Sequence, residues 1–125
     1  MKNTLNRKSS LKSRIVIKDI FAKKKGFIIY PLRLSFIEQP SDVPVKLVFS
    51  APKRNFKKAV DRNRLKRLMR EAYRQNQTSF ILGLEDQKKS VAVYIGYIGK
   101  EFVSYSAIEE KIKLSLIRLI KELEK

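Results

Sequence analysis

Between positions 62 and 74 the chain sets Arg62, Arg64, Lys66, Arg67, Arg70 and Arg74 around a single Asn63. A guanidinium is planar, permanently charged and offers paired N–H donors to a phosphate, where lysine offers only a point charge. At ~100° per residue, Leu65, Leu68, Met69 and Ala72 share one face of a helix. Asn63, Lys66, Arg67, Arg70 and Arg74 take the opposite face, with Arg62 and Arg64 on the flanks. Asp61 and Glu71 are the only acids of this helix, and one helical ion pair contributes about 0.2–0.5 kcal/mol. The plain structural reading is a solvated charged face. The density of arginine favours instead a partner with regularly spaced phosphates, a nucleic acid.

Other chemistry is poorly supplied. The chain has no histidine and no cysteine, which removes the commonest general base, the commonest transition-metal ligand and any disulfide framework. Absence of cysteine fits a reducing cytoplasm. The paired carboxylates Glu85-Asp86 and Glu109-Glu110 are the one visible route to acid/base or metal work. Loop solvation explains the first pair and the positive end of a helix the second. We expect no catalytic residue and no metal ligand in this chain.

The 29 Lys+Arg against 12 Asp+Glu give a net charge of +17 in 125 residues. The excess is not spread evenly. Residues 1–26 hold nine Lys/Arg and one acid, and residues 51–75 hold ten and two. Two basic blocks on an otherwise balanced chain indicate a contact surface for a polyanion. Hydrophobic residues make up 43%, enough for one ordinary domain with a modest core. Lys18 and Asp19 interrupt the apolar run Ile15–Ile17, so no signal peptide is expected there. The apolar stretch from Phe27 to Ile37 contains Arg33 and is too short to span a bilayer. We therefore expect a soluble protein with neither a membrane nor a small molecule as its partner.

The elements that must position these residues follow from spacing. Residues 1–12 are polar and basic without periodicity and are expected to form a flexible arm, leaving 13–125 as a single domain. A first helix is predicted from Ser13 to about Lys24, with Gly26 just past its end. Leu32, Leu34 and Phe36 alternate with Arg33 and Ser35, which predicts a half-buried strand starting near Pro31. Val43–Ser50 is a further strand, and whether two or three strands precede the basic helix stays open. That helix is expected from about Phe56 to Gln75, followed by a surface loop over 76–90 with a short turn near Phe80–Leu82. Val91–Tyr97 is a strand, and Ser106-x-x-Glu109 fits a capping box opening the last helix. Ile108, Ile112, Leu116, Leu119, Ile120 and Leu123 give that helix its apolar stripe. The order helix, strands, basic helix, strand, helix predicts an α/β (α+β) sandwich around a small sheet.

The run Arg62-Asn63-Arg64-Leu65-Lys66-Arg67-Leu68-Met69-Arg70-Glu71-Ala72-Tyr73 resembles the "RNR" signature of the bacterial ribonuclease P protein component. As in that family, it follows a strand and a short basic turn, here Phe49–Phe56, and the similarity extends over about residues 11–122. The resemblance implies a single domain whose mixed sheet contains a left-handed crossover through the signature helix. It implies a subunit that joins a large catalytic RNA and helps it remove the 5′ leader of precursor tRNA, with Mg2+ held mainly by the RNA. Residue by residue, Arg62, Asn63, Arg64, Lys66, Arg67 and Arg70 match the signature, Arg74 continues its face, and Lys53 and Arg54 match the basic turn. Phe21 and Phe36 match aromatic positions of the leader cleft, with Ile17, Lys18 and Arg33 beside them. Both aromatics also fit apolar stripes, so core packing is the competing reading. Ile17 stands where the family often has an aromatic, and Lys57-Lys58 replaces a common Gly-Asn.

Two other classes share part of the pattern. A structural RNA-binding protein of the ribosomal type would carry the same charge without a leader-sized groove. A DNA-binding regulator would place the basic helix in a major groove, but the arginines cover too wide an arc and no short helix precedes them. A membrane-surface role would need the apolar stripe that the core requires.

Overall fold

Apolar residues alternate over 32–36 and 45–49, so those strands turn one face to the core, whereas 91–97 is largely apolar and is buried on both faces apart from Tyr94. A computed structural model of the chain describes residues 25–40 and 42–124. Its element order is β1 (Gly26–Ile29), β2 (Leu32–Glu38), β3 (Val45–Ser50), α1 (Ala59–Asp86), β4 (Val91–Tyr97) and α2 (Tyr105–Leu123). The expected arm over 1–12 and first helix over 13–24 lie outside the described residues. Three strands precede the basic helix, because the turn Tyr30-Pro31 splits the apolar stretch into a hairpin, with Ile29 opposite Leu32.

The four strands form one mixed sheet in the order β1-β2-β4-β3. β2 pairs antiparallel with β1 and β4, whereas β3 pairs parallel with β4, Leu47 opposite Val93. A parallel pair needs a long crossover connection, and α1 supplies it. β3 begins at Val45 rather than 43, since Pro44 has no N–H to donate; its carbonyl instead accepts from Val91 N–H at 3.0 Å.

Both helices cover the same sheet face. Leu32, Leu34, Phe36, Val45, Leu47, Phe49, Val91, Val93, Ile95 and Tyr97 meet Leu65, Met69, Tyr73, Ile108, Ile112 and Leu119 in one core. The opposite face carries a much smaller cluster, Ile37 and Ala92 with Val48 and Tyr94 packed against them. The result is an α+β single domain in two layers.

Further boundaries differ from the sequence expectation, two of them with consequences for the helix pair. The basic helix does not stop near Gln75 but runs 28 residues to Asp86, about 40 Å long. Tyr73, Gln77, Phe80 and Leu84 are buried along it, so the polar composition of 76–79 concealed a continuing inward stripe. Burying Phe80 and Leu84 contributes about 1.5–3 kcal/mol each, more than the ~1 kcal/mol that a helical Gly83 costs. Gly83 has its own reason: a Cβ there would lie 2.9 Å from Ile120 Cδ1, so α1 and α2 cross closely at this point. The second difference is the cap of α2. Ser104, not Ser106, is the N-cap, its Oγ accepting from Ala107 N–H at 3.2 Å. The helix therefore starts earlier, and Glu109 is freed to accept from Asn76 Nδ2 at 3.1 Å across the helix pair.

Candidate nucleic-acid interface

α1 separates its two faces as the spacing predicts. Leu65, Met69 and Ala72 are fully buried and Leu68 packs against the core, while Asn63, Arg64, Arg67 and Arg70 are exposed. Lys66, Arg62 and Arg74 are half-buried at the margins. The apolar face fixes the helix axis, and Asn63, Arg67 and Arg70 therefore project from a rigid support at about one residue per turn.

Arg62 has a different position from its neighbours. Its Nη1 donates to the carbonyls of Phe56 and Lys57, both at 2.8 Å. The N-cap Lys58 offers no side-chain acceptor to the first helical N–H groups, and the Arg62 bonds satisfy instead two carbonyls of the turn before the helix. Arg62 thus folds back on the turn that leads into the helix, and part of its donor capacity faces the protein.

Arg74 is also engaged. Its Nε donates to Glu71 Oε2 at 2.9 Å and its Nη2 forms an ion pair with Oε1 of the same carboxylate. Gln75 Nε2 adds a bond to Glu71 at 3.0 Å. The Arg74 bonds first, and that of Gln75 second, hold the Glu71 carboxyl well below its usual range, at about 2. The same bonds raise the Arg74 guanidinium further. At neutral pH this pair is fully charged on both sides, which leaves Arg67 and Arg70 as the more open cations of the stripe.

The basic turn before the helix exposes Lys53 and Arg54. Asn55 in the same turn donates through Nδ2 toward the carbonyls of Ile98 (3.4 Å) and Gly99 (3.5 Å), tying the turn to the β4–α2 loop. That loop brings in a residue that spacing did not single out. Phe102 packs on Phe56 with ring centroids 5.1 Å apart, and the Arg64 guanidinium lies 5.6 Å from its ring centre. The signal in the sequence was a pair of aromatics, Phe102 and Tyr105, in the stretch 99–106, which has no period to place them.

On the open sheet face Arg33 is exposed, opposite Gly96 in register. Arg33, Ser35, Ser50, Arg54, Tyr94 and Gly96 line a depression of about 200 Å³. Arg54 therefore sits with Arg33 as well as with the turn. Phe36 is not there. It is an odd number of residues from Arg33, so its side chain points to the other face, where it is 5% exposed and 6.4 Å from Phe27. Core packing is the reading that the structure gives Phe36. Ile17, Lys18 and Phe21 lie outside the described residues.

Among the described residues the donor set does not fit a resident metal. Among them no three His, Cys, Asp or Glu side chains come together, and Glu109 is engaged by Asn76 and the Tyr105 hydroxyl. Among the same residues no helix is long and apolar enough to cross a membrane.

The model of the family described as Ribonuclease P matches residues 5–116. The Ribonuclease P protein component of Porphyromonas gingivalis is 30% identical over 117 residues, covering 92% of this chain and 85% of that one. The component of the same name from Chlorobium phaeobacteroides is 34% identical over 122 residues, covering 88% and 84%. Among solved structures, the RNase P protein of Staphylococcus aureus superposes with a TM-score of 0.73 at 14% identity, over 89% of this chain and 94% of that one. The RNase P protein of Thermotoga maritima gives 0.67 at 24% identity, over 90% and 96%. These two likenesses speak for the fold, and the matched family and relatives speak for descent. The chain belongs to the ribonuclease P protein family.

Proposed function

We propose that α1 is the surface by which this ribonuclease P subunit holds the catalytic RNA, and that the protein assists RNA-based removal of the 5′ leader from precursor tRNA. The observation that carries this is the exposed Asn63, Arg67 and Arg70 on a helix whose other face is locked into the core. Because the backbone that carries them is already ordered, phosphate binding costs only the side-chain freedom of the guanidiniums. Lys53, Arg54, Arg64 and Lys66 extend the contact, while Arg62 and Arg74 take part through what their intramolecular bonds leave free. The depression beside Arg33 and Arg54 is the part of the described surface that suits the leader, and Ile17, Lys18 and Phe21 are proposed as further leader contacts. Phe36 has no place in it.

Chemistry at the scissile phosphate is assigned to Mg2+ bound by the RNA. The protein's contribution is electrostatic: cations beside closely spaced phosphates lower their mutual repulsion and allow the RNA to fold and hold substrate at lower magnesium. Its place of work is the cytoplasm, with precursor tRNA.

The test is cleavage of precursor tRNA by a bacterial ribonuclease P RNA at low magnesium, with and without this protein. Stimulation is expected. No stimulation, alongside intact binding to ribosomal RNA, would transfer the chain to the ribosomal type of RNA-binding protein.

A further inference from the structure

Phe102 is an aromatic ring held half out of the protein beside the cationic helix. It is 41% exposed, although Phe56 behind it is only 6% exposed and already packs on Tyr97 with ring centroids 5.8 Å apart. The ring is held by its surroundings. Phe56 supports it at 5.1 Å, Asn55 ties the start of the loop, and the Tyr97 hydroxyl donates to the carbonyl of Glu101. Arg64 reaches over the ring, which joins it to the stripe that continues through Arg67 and Arg70.

The charge around it is predominantly positive. Lys53, Arg54, Lys57 and Lys58 flank Phe56 in the turn, all exposed, and Lys100 precedes Phe102 by two residues. Glu101 is the single carboxylate of that loop. An exposed, pre-ordered aromatic among cations is the arrangement by which proteins hold unpaired nucleotides: phosphates take the charges and a base takes the ring.

We propose that Phe102 is a base-stacking position, receiving one unpaired nucleobase of the RNA whose phosphates Arg64 and Arg67 hold. The proposal rests on the reading of α1 as the RNA interface. Stacking of this kind tolerates any base, because each has a π-face. The site lies at the end of the sheet, beside the entry to α1, and not on the open sheet face with Arg33.

The competing role is a simple apolar cover for Phe56, which leucine would fill equally well. Binding of wild-type, F102L and F102W proteins to a bacterial ribonuclease P RNA transcript, measured over a series of salt concentrations, separates the two. F102L is expected to bind about 5- to 150-fold more weakly with a parallel salt line, and F102W to bind within about twofold of wild type. The chain has no tryptophan, so F102W also introduces a lone indole, whose emission should be quenched when the RNA is added. Wild-type affinity for F102L, or an unquenched indole in a bound complex, would overturn the proposal. The quenching also stands where F102L folds poorly. An R67A/R70A protein with an unchanged salt slope would count against the α1 reading itself, whatever F102L does.

Discussion

Arg62 bonds back to Phe56: one guanidinium nitrogen bridges the Phe56 and Lys57 carbonyls at 2.8 Å each. A signature arginine thus has a structural task. Bonds from a charged donor to neutral acceptors contribute about 1.5–3 kcal/mol when sheltered and less near solvent. Arg62→Ala should therefore lower stability by about 1–2 kcal/mol in urea unfolding. Arg67→Ala, which removes an exposed side chain, should stay within about 0.5 kcal/mol of wild type. Equal stabilities for the two variants would show that the turn does not depend on the guanidinium.

Arg67→Ala combined with Arg70→Ala should reduce RNA affinity chiefly at low salt. Each lost phosphate contact removes about 0.9 from the slope of log K against log salt for a duplex, or about 0.7 for a single strand. The double variant should be flatter by about 1.4–1.8. A parallel salt line would place both residues outside the interface.

Glu71 restrains Arg74, and the restraint is independent of pH over the useful range. A depressed carboxyl contributes its pairing above the unfolded value, near 4.5, and loses it only as pH falls through about 2. Between pH 5 and 8 the pair should not change. Glu71→Gln removes the carboxylate charge beside Arg74 and should steepen the RNA salt slope by up to about 0.9. An unaltered slope in Glu71→Gln would mean that Arg74 does not reach the RNA.

Tyr73 is fully buried, and its hydroxyl has no hydrogen-bond partner among the described residues. Burial pushes its phenol far above the ordinary range. The ring packs on Phe49 and Phe80 at 6.4 Å each, contacts that phenylalanine would keep. Removing an unpaired buried hydroxyl should leave stability unchanged or raise it by up to about 1 kcal/mol. A fall in Tm for Tyr73→Phe would reveal a partner for the hydroxyl.

Two glycines should respond differently to alanine. A Cβ at Gly26 would stand 2.1 Å from the backbone carbonyl oxygen of Leu34, which cannot move without breaking the β1–β2 hairpin. Gly26→Ala should cost about 1–3 kcal/mol. At Gly83 the obstacle is the tip of Ile120, and the gain of about 1 kcal/mol in helix propensity opposes its displacement. Gly83→Ala should fall within about 0.5 kcal/mol of wild type, as read from denaturant midpoints.

Much of this architecture was legible from period alone. Leu32, Leu34, Val91, Val93 and Ile95 announced their strands by alternating along the chain, and Leu65, Met69 and Ala72 announced the docking face of α1. The last turns of α1 were hidden because Gln77, a polar residue, occupies an inward position between Tyr73 and Phe80. The sheet order has no local trace, since β2 meets β4 across more than fifty residues of chain. In the candidate site, exposure of Arg67 and Arg70 followed from helical angle. The Arg62 and Arg74 bonds, and the position of Phe102, depend on rotamers and on a loop without period. The fate of Phe36 could be read from its parity with Leu32 and Leu34.

The central place of β4 sets an order of events during synthesis. β2 and β3 have no common neighbour until residues 91–97 have been made, and translation proceeds from the N-terminus at about 5–20 residues per second. The arginine-bearing segment is therefore finished before the strand that closes the sheet beneath it, on the ribosome's own RNA-rich surface. The nascent chain passes through an interval in which its arginine-rich segment has no seat. How quickly β4 inserts between its two neighbours decides how long that segment can be captured by the wrong RNA.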